Sequence, residues 1–129
     1  MRLHEETIIQ LRIVHLVSKS SERTTLEEIA RATGISRAQA SKLVWGLVAA
    51  GYLISKRGVR GGIWRACPPD QLKIGKLVAS LECFDHNSET AIEVFDLTLQ
   101  RAFDTMIGVL DERTMDDVKS PRARRRPRA

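Results

Sequence analysis

A chain of 129 residues with 43% hydrophobic and 29% charged side chains has the composition of one folded domain, or of one domain with an extension. It is long enough to bury a core without disulfides, and its two cysteines, Cys67 and Cys83, are too few for a disulfide framework. No apolar run reaches membrane-spanning length and no signal-like segment opens the chain, so a cytoplasmic location and no membrane partner are expected.

Charge is unevenly distributed. The net charge is +5, but residues 1–22 sum to zero, 23–65 to +6, 66–118 to −7 and the last eleven to +6. A basic module joined to an acidic one fits a phosphate-binding end and a separate end for assembly or sensing.

Residues 5–18 read as an amphipathic helix, with Ile8, Leu11, Val14 and Leu16 or Val17 spaced to reach a core. His4 and His15 read as surface or helix-flank histidines rather than ligands. Residues 18–23 are a polar connection.

The stretch Thr25–Leu47 carries the strongest pattern. Thr25 with Glu28 and Ser36 with Gln39 fit capping boxes that open two short helices. Leu26, Ile29 and Ala30 give the first helix an apolar face, and Gly34 marks the turn. In the second helix Ala40, Leu43, Val44 and Leu47 face inward, leaving Arg37, Gln39, Ser41, Lys42 and Trp45 outside. This is the helix-turn-helix pattern, the alternative being two ordinary packed helices. The outward face favours DNA reading because it carries cations and amides but no acid.

Gly51 fits a left-handed cap at the end of the second helix. Residues 52–55 and 63–66 then read as two short strands around the turn KRGVRGG, which brings Lys56, Arg57 and Arg60 to a glycine-rich tip. A hairpin directly behind a recognition helix is a wing, suited to a phosphate backbone or a minor groove. Taken alone it would equally be a solvated hairpin.

Pro68 and Pro69 close this module. Leu72, Ile74, Leu77, Val78 and Leu81 mark a modest helix, and residues 82–88 a polar loop. From about Ser88 to Leu110 a long helix is expected, with Ile92, Phe95, Leu99, Ala102, Met106 and Val109 at coiled-coil spacing and Phe103, Ile107 and Leu110 widening the apolar face. That exceeds what a small winged domain needs, so a second copy of the chain is the simplest partner; packing within the monomer is the alternative. Residues 114–118 read as a terminal turn. The tail SPRARRRPRA is too rich in proline and arginine to fold alone, and is either a DNA-touching arm or a solvated end.

The opening Met-Arg-Leu, the segment GISRAQASKLVWGLVAAGYL and the wing KRGVRGGIWRACPP together resemble the Rrf-two (BadM-type) winged helix-turn-helix transcriptional regulators, over about residues 1–118. The wing Arg57-Gly58-x-x-Gly61-Gly62 is the most specific part of the likeness. The resemblance implies a homodimer on a double-stranded, pseudo-palindromic DNA operator. Ala38, Gln39, Ser41 and Lys42 would lie on the base-facing surface and Arg57 in the wing that enters the minor groove. The chemistry agrees: Gln39 can pair with adenine, Arg37 and Lys42 can reach guanine edges or phosphates, and Lys56, Arg57 and Arg60 supply salt-dependent affinity. Thr25 and Ser36 complete the expected DNA-binding set.

The expected fold is mainly α with a small β-hairpin wing. Residues 1–67 would form the DNA-binding domain, 68–118 a linker helix, a shortened sensor-type loop and a dimerisation helix, and 119–129 a disordered arginine-rich tail. Sensing members of the resembled family hold an iron–sulfur cluster on three cysteines in that loop, often with an acid from the first helix. Here the loop has Cys83 only, Glu93 aligns with the third cysteine, and the first-helix position is Ile8. No cofactor is expected, and an iron–sulfur cluster is disfavoured because the three-cysteine loop is missing. The remaining sensor candidates are Cys83, His86 and Glu93. Glu82, Cys83, Asp85 and His86 could hold another metal, Cys83 could sense oxidation beside His86, or the loop is simply polar. The expected function is a dimeric sequence-specific regulator, with repression the simplest act of a dimer on an operator. A non-regulatory winged-helix DNA-binding or assembly module is the alternative. Scattered histidines with no phosphate loop or nucleophile–base pattern argue against an enzyme.

Overall fold

A computed structural model describes residues 3–82 and 93–118, with the backbone alone described over 93–99. Helix α1 (Glu5–Lys19) opens on Glu5 and Glu6 and closes on Lys19, charges that complement the two ends of its dipole. Its buried residues are Thr7, Ile13, Val14, Val17 and Ser18. Ile8, expected in the core, is instead 43% exposed. At about 3.6 residues per turn it points well away from the stripe that Ile13, Val14 and Val17 form.

Helices α2 (Leu26–Thr33) and α3 (Arg37–Ala49) start where their caps place them. Thr25 Oγ1 accepts the Glu28 N–H at 3.2 Å, and Ser36 Oγ accepts the Gln39 N–H at 3.1 Å. The reciprocal half of each expected capping box does not form among the described residues; Glu28 and Gln39 are both exposed, where water competes for their side chains. The chain turns between the helices at Gly34, φ 73°. Ala40, Leu43, Val44 and Leu47 are the buried residues of α3, as their spacing requires. Beyond it, the Gly51 N–H reaches Val48 O at 3.0 Å and the Tyr52 N–H reaches Leu47 O at 2.9 Å, closing the helix with a Schellman pattern.

Strands β1 (Leu53–Lys56) and β2 (Gly62–Arg65) pair antiparallel, from Leu53 opposite Arg65 to Lys56 opposite Gly62. Each is shifted one residue toward the turn relative to the sequence reading. The connection before α2 is more ordered than a polar linker: Thr24 bridges Ile63, with N–H···O distances of 2.9 Å in both directions.

After a 3-10 turn at Pro69–Gln71 come α4 (Ile74–Glu82) and α5 (Glu93–Leu110), which pack on each other. Gly75 sets their approach, because a methyl there would collide with the Ile107 carbonyl and the Asp111 carboxylate. Asp111 in turn accepts the Lys76 N–H at 2.9 Å. The terminal 3-10 turn Met115–Asp117 returns to the body through Met115 N–H to Leu72 O, 2.7 Å, and Ile74 N–H to Arg113 O, 3.0 Å. A continuous cluster then joins Ile13 and Val17 to Ile29, Leu43, Leu47, Ile63, Leu77 and Met115. Residues 83–88 of the expected polar loop and 88–92 of the expected long helix lie outside the described residues. No helix among the described residues is long and apolar enough to cross a membrane.

Candidate nucleic-acid interface

The core takes up one side of α3 and leaves the other to solvent. Arg37, Ala38, Gln39, Ser41 and Lys42 are all exposed, and Trp45 is 70% exposed. Neither an aspartate nor a glutamate lies on α3. Thr25 and Ser36, also in the expected DNA-binding set, each spend an oxygen lone pair on a helix cap; their hydroxyl protons remain donors. Arg37 reaches back to Glu27 of α2 at 3.7 Å, an exposed pair that still leaves its other donors outward.

The hairpin carries Lys56, Arg57 and Arg60 as exposed residues, with Val59 among them. Lys56 Nζ sits 5.8 Å from the Trp64 ring centroid, so its charge is steadied by the indole face. Gly61 is required by close approach, since a side chain there would meet the Lys56 carbonyl oxygen. Arg23, which the sequence reading placed in a polar connection, braces this tip. Its Nη1 donates to Val59 O and to Gly61 O, each at 3.2 Å. Arg65 turns the other way, donating to Ser18 O of α1 at 3.1 Å. Between α3 and the hairpin lies an open cleft of about 520 Å³.

The expected assembly and sensor residues divide differently. On α5, Ala102 is exposed, Met106 and Leu110 are half-buried, and Val109 is 59% exposed. Phe103, expected on the same surface, is 6% exposed in the single chain. Ile92, Cys83 and His86 lie outside the described residues, and the side chains of Phe95, Leu99 and Glu93 do too.

Glu82 does not lie in a polar loop but ends α4, with its side chain only 4% exposed. Burial pushes its carboxyl upward in pKa. Hydrogen bonds from the His4 ring, the His4 backbone N–H at 2.8 Å and the Thr7 hydroxyl outweigh this and hold it below the usual glutamate value. His4 is therefore a partner of Glu82 rather than a free flank residue. His15 also has a partner, with Nε2 3.0 Å from Val118 O.

A mainly helical chain with a cation-bearing helix and a cation-tipped hairpin on one side matches the Rrf2 family model, described as an iron-dependent transcriptional regulator, over residues 3–121. The chain belongs to the Rrf2 family. Like its relatives it is a winged-helix, DNA-binding transcriptional regulator. It is 32% identical over 136 residues to the HTH-type transcriptional regulator NsrR of Geobacillus kaustophilus, covering 95% of this chain and 92% of that one. The Bacillus subtilis NsrR is 28% identical over 131 residues, covering 92% of this chain and 90% of that protein. Among solved structures, the global cysteine regulator CymR of B. subtilis superposes with a TM-score of 0.69 at 25% identity, over 91% of this chain and 95% of that one. The T. potens IscR structure shares the fold, with a TM-score of 0.71 at 20% identity over 91% of this chain and 85% of that chain.

A family-type iron–sulfur cluster would need several thiolate donors. The thiols of this chain are Cys67 and Cys83. Cys67 is half-buried and packs against the core. Glu82 is already committed to His4 and Thr7, and position 8 of α1 is an isoleucine. A cluster held by several thiolates of one chain does not fit this donor set.

Proposed function

We propose that this Rrf2-family regulator acts as a homodimer that represses transcription by occupying a pseudo-palindromic operator. The observation carrying this reading is the acid-free outward face of α3 set beside a cation-tipped, braced hairpin. In each half-site α3 enters the major groove. Its Gln39 amide presents a donor–acceptor pair to an adenine, Lys42 and Arg37 address guanine edges or phosphates, and Ala38 and Ser41 allow close approach. Thr25 and Ser36 donate hydroxyl protons to phosphates while holding their caps. The wing follows the adjacent minor groove, led by Arg57, with Lys56 and Arg60 on the backbone.

Residues 1–67 make the DNA contacts, residues 68–118 provide assembly through α5, and the arginine-rich residues 119–129 add charge near the duplex. The excess of acids over 66–118 keeps that half off the phosphates. With one cysteine in the loop region, a signal carried by a family-type three-cysteine cluster is not expected. Cys83, His86 and Glu93 remain the residues to test for redox or metal sensing.

The decisive experiment is selection of bound duplexes from a random library, followed by footprinting. Enrichment of an inverted repeat with half-sites about one helical turn apart supports the reading. Binding without any sequence preference would instead mark a non-regulatory DNA-binding module. On the selected duplex, Arg57→Ala should reduce affinity and lower the log–log salt slope by about one. An unchanged slope and affinity would remove the wing from the mechanism.

A further inference from the structure

We infer that the cleft between α3 and the hairpin holds one sugar–phosphate strand of the bound duplex, with the Trp45 indole packed against its deoxyribose edge. This rests on the DNA-binding function proposed above and assigns a role to a residue that function leaves unused.

Arg37, Ser41 and Trp45 recur at four-residue spacing and so stand one above the next along α3. All three line the cleft. Ala38, Gln39 and Lys42 are exposed but do not line it. The outward side of α3 is therefore two stripes: Ala38, Gln39 and Lys42 outside the cleft, and Arg37, Ser41 and Trp45 turned toward the wing. Ser55, Lys56 and Arg57 form the opposite wall.

The occupant follows from the walls. Leu26, Val44, Val48 and Ile63 line the cleft beneath cations and hydroxyls on both sides, and although Arg37 pairs with Glu27 no carboxylate is in the lining itself, which favours an anion with apolar surface of its own. A helix in a major groove and a wing in the neighbouring minor groove straddle the backbone between those grooves, so a strand of the duplex must pass where this cleft lies. A strand is not uniformly charged. Its phosphates suit Arg37, Lys56 and Arg57, and its sugar presents an apolar edge. The indole supplies a flat apolar partner for that edge and one N–H donor for a phosphate oxygen. At 70% exposure Trp45 contributes little to the protomer core, so its surface is free for this contact.

The contact is uncharged and reads no base, which gives it a distinctive signature. The chain has two tryptophans, Trp45 and Trp64, so in a Trp64→Phe background fluorescence reports on Trp45 alone. Titration with a mixed-sequence duplex of about 30 base pairs at low salt should change its emission. Trp45→Ala should weaken binding about tenfold on mixed-sequence and selected duplexes alike, with the salt slope unaltered because no charge is lost. Emission that ignores the duplex, or Trp45→Ala binding equal to wild type, overturns the inference. In that case a normal loss of slope in Arg57→Ala would leave the proposed function standing. Should Trp45→Ala fail to fold by circular dichroism, the fluorescence titration decides alone. A wild-type protein that binds neither duplex overturns both.

Discussion

At Glu82, burial and hydrogen bonding act in opposite directions on one carboxyl group. Desolvation raises its pKa, the bonds from His4 and Thr7 lower it, and the bonds prevail. A depressed folded-state pKa contributes stability that is fully present above the unfolded glutamate value and is lost as pH falls through the folded one. His4 precedes α1 and Glu82 ends α4, so this contact ties the first helix to the helix that leads out of the winged module. Glu82→Gln should cost about 1 kcal/mol near neutral pH, a few degrees in Tm, and the gap to wild type should close below the carboxylate range. Thermal melts across pH check this. A gap that stays constant down to low pH would mean that the ionised carboxylate is not what stabilises the contact. Asp117, also held low by the Thr114 backbone N–H, acidifies in the same direction in both proteins and cancels in the comparison.

The hairpin is held from outside itself, by Thr24 and Arg23. A two-stranded hairpin is marginal in water on its own. Here Thr24 adds a third pairing partner at Ile63, and the Arg23 guanidinium joins two carbonyls of the tip. If the tip contacts DNA as proposed, ordering it beforehand reduces the entropy lost on binding. Arg23→Lys keeps the charge, but both carbonyls are bonded by Nη1 at the far end of the guanidinium, one bond farther from the backbone than a lysine ammonium reaches. This variant should lose about threefold to tenfold in affinity with an unchanged salt slope and nearly unchanged Tm, since both bonds are exposed. Equal affinity in a salt titration by fluorescence anisotropy would show that the tip is ordered without Arg23. The turn sequence exposes the cations of the wing to direct reading. Its brace does not show, because Arg23 is more than thirty residues from its partners and its spacing matches no local motif.

For the whole molecule, the proposed dimer must put two copies of α3 at a fixed separation. On α5 the described residues leave Val109 exposed and Ala102 open, while Phe103 is taken up within the protomer. Val109→Asp should therefore fold normally, shift the protein toward monomer by light scattering, and weaken binding to an inverted repeat by more than about tenfold while sparing a single half-site. A persistent dimer would place the interface elsewhere.

The sequence by itself determined the helix-turn-helix, the buried set Ala40, Leu43, Val44 and Leu47, the hairpin with its cationic tip, and the terminal turn at residues 114–118. These are local: caps, glycines and apolar spacing within a few residues dictate them. The tertiary structure decided which stripe of α1 is buried, since Ile8 and Ile13 are equally apolar and only the position of α2, α3 and α4 around the helix chooses between them. It also decided that Glu82 pairs with His4, that Arg23 braces the wing, and that Trp45 shares a cleft with Arg57. Each of these joins residues far apart in the chain. Local propensity carries no record of such contacts, because they form only once the packed core has brought the elements together.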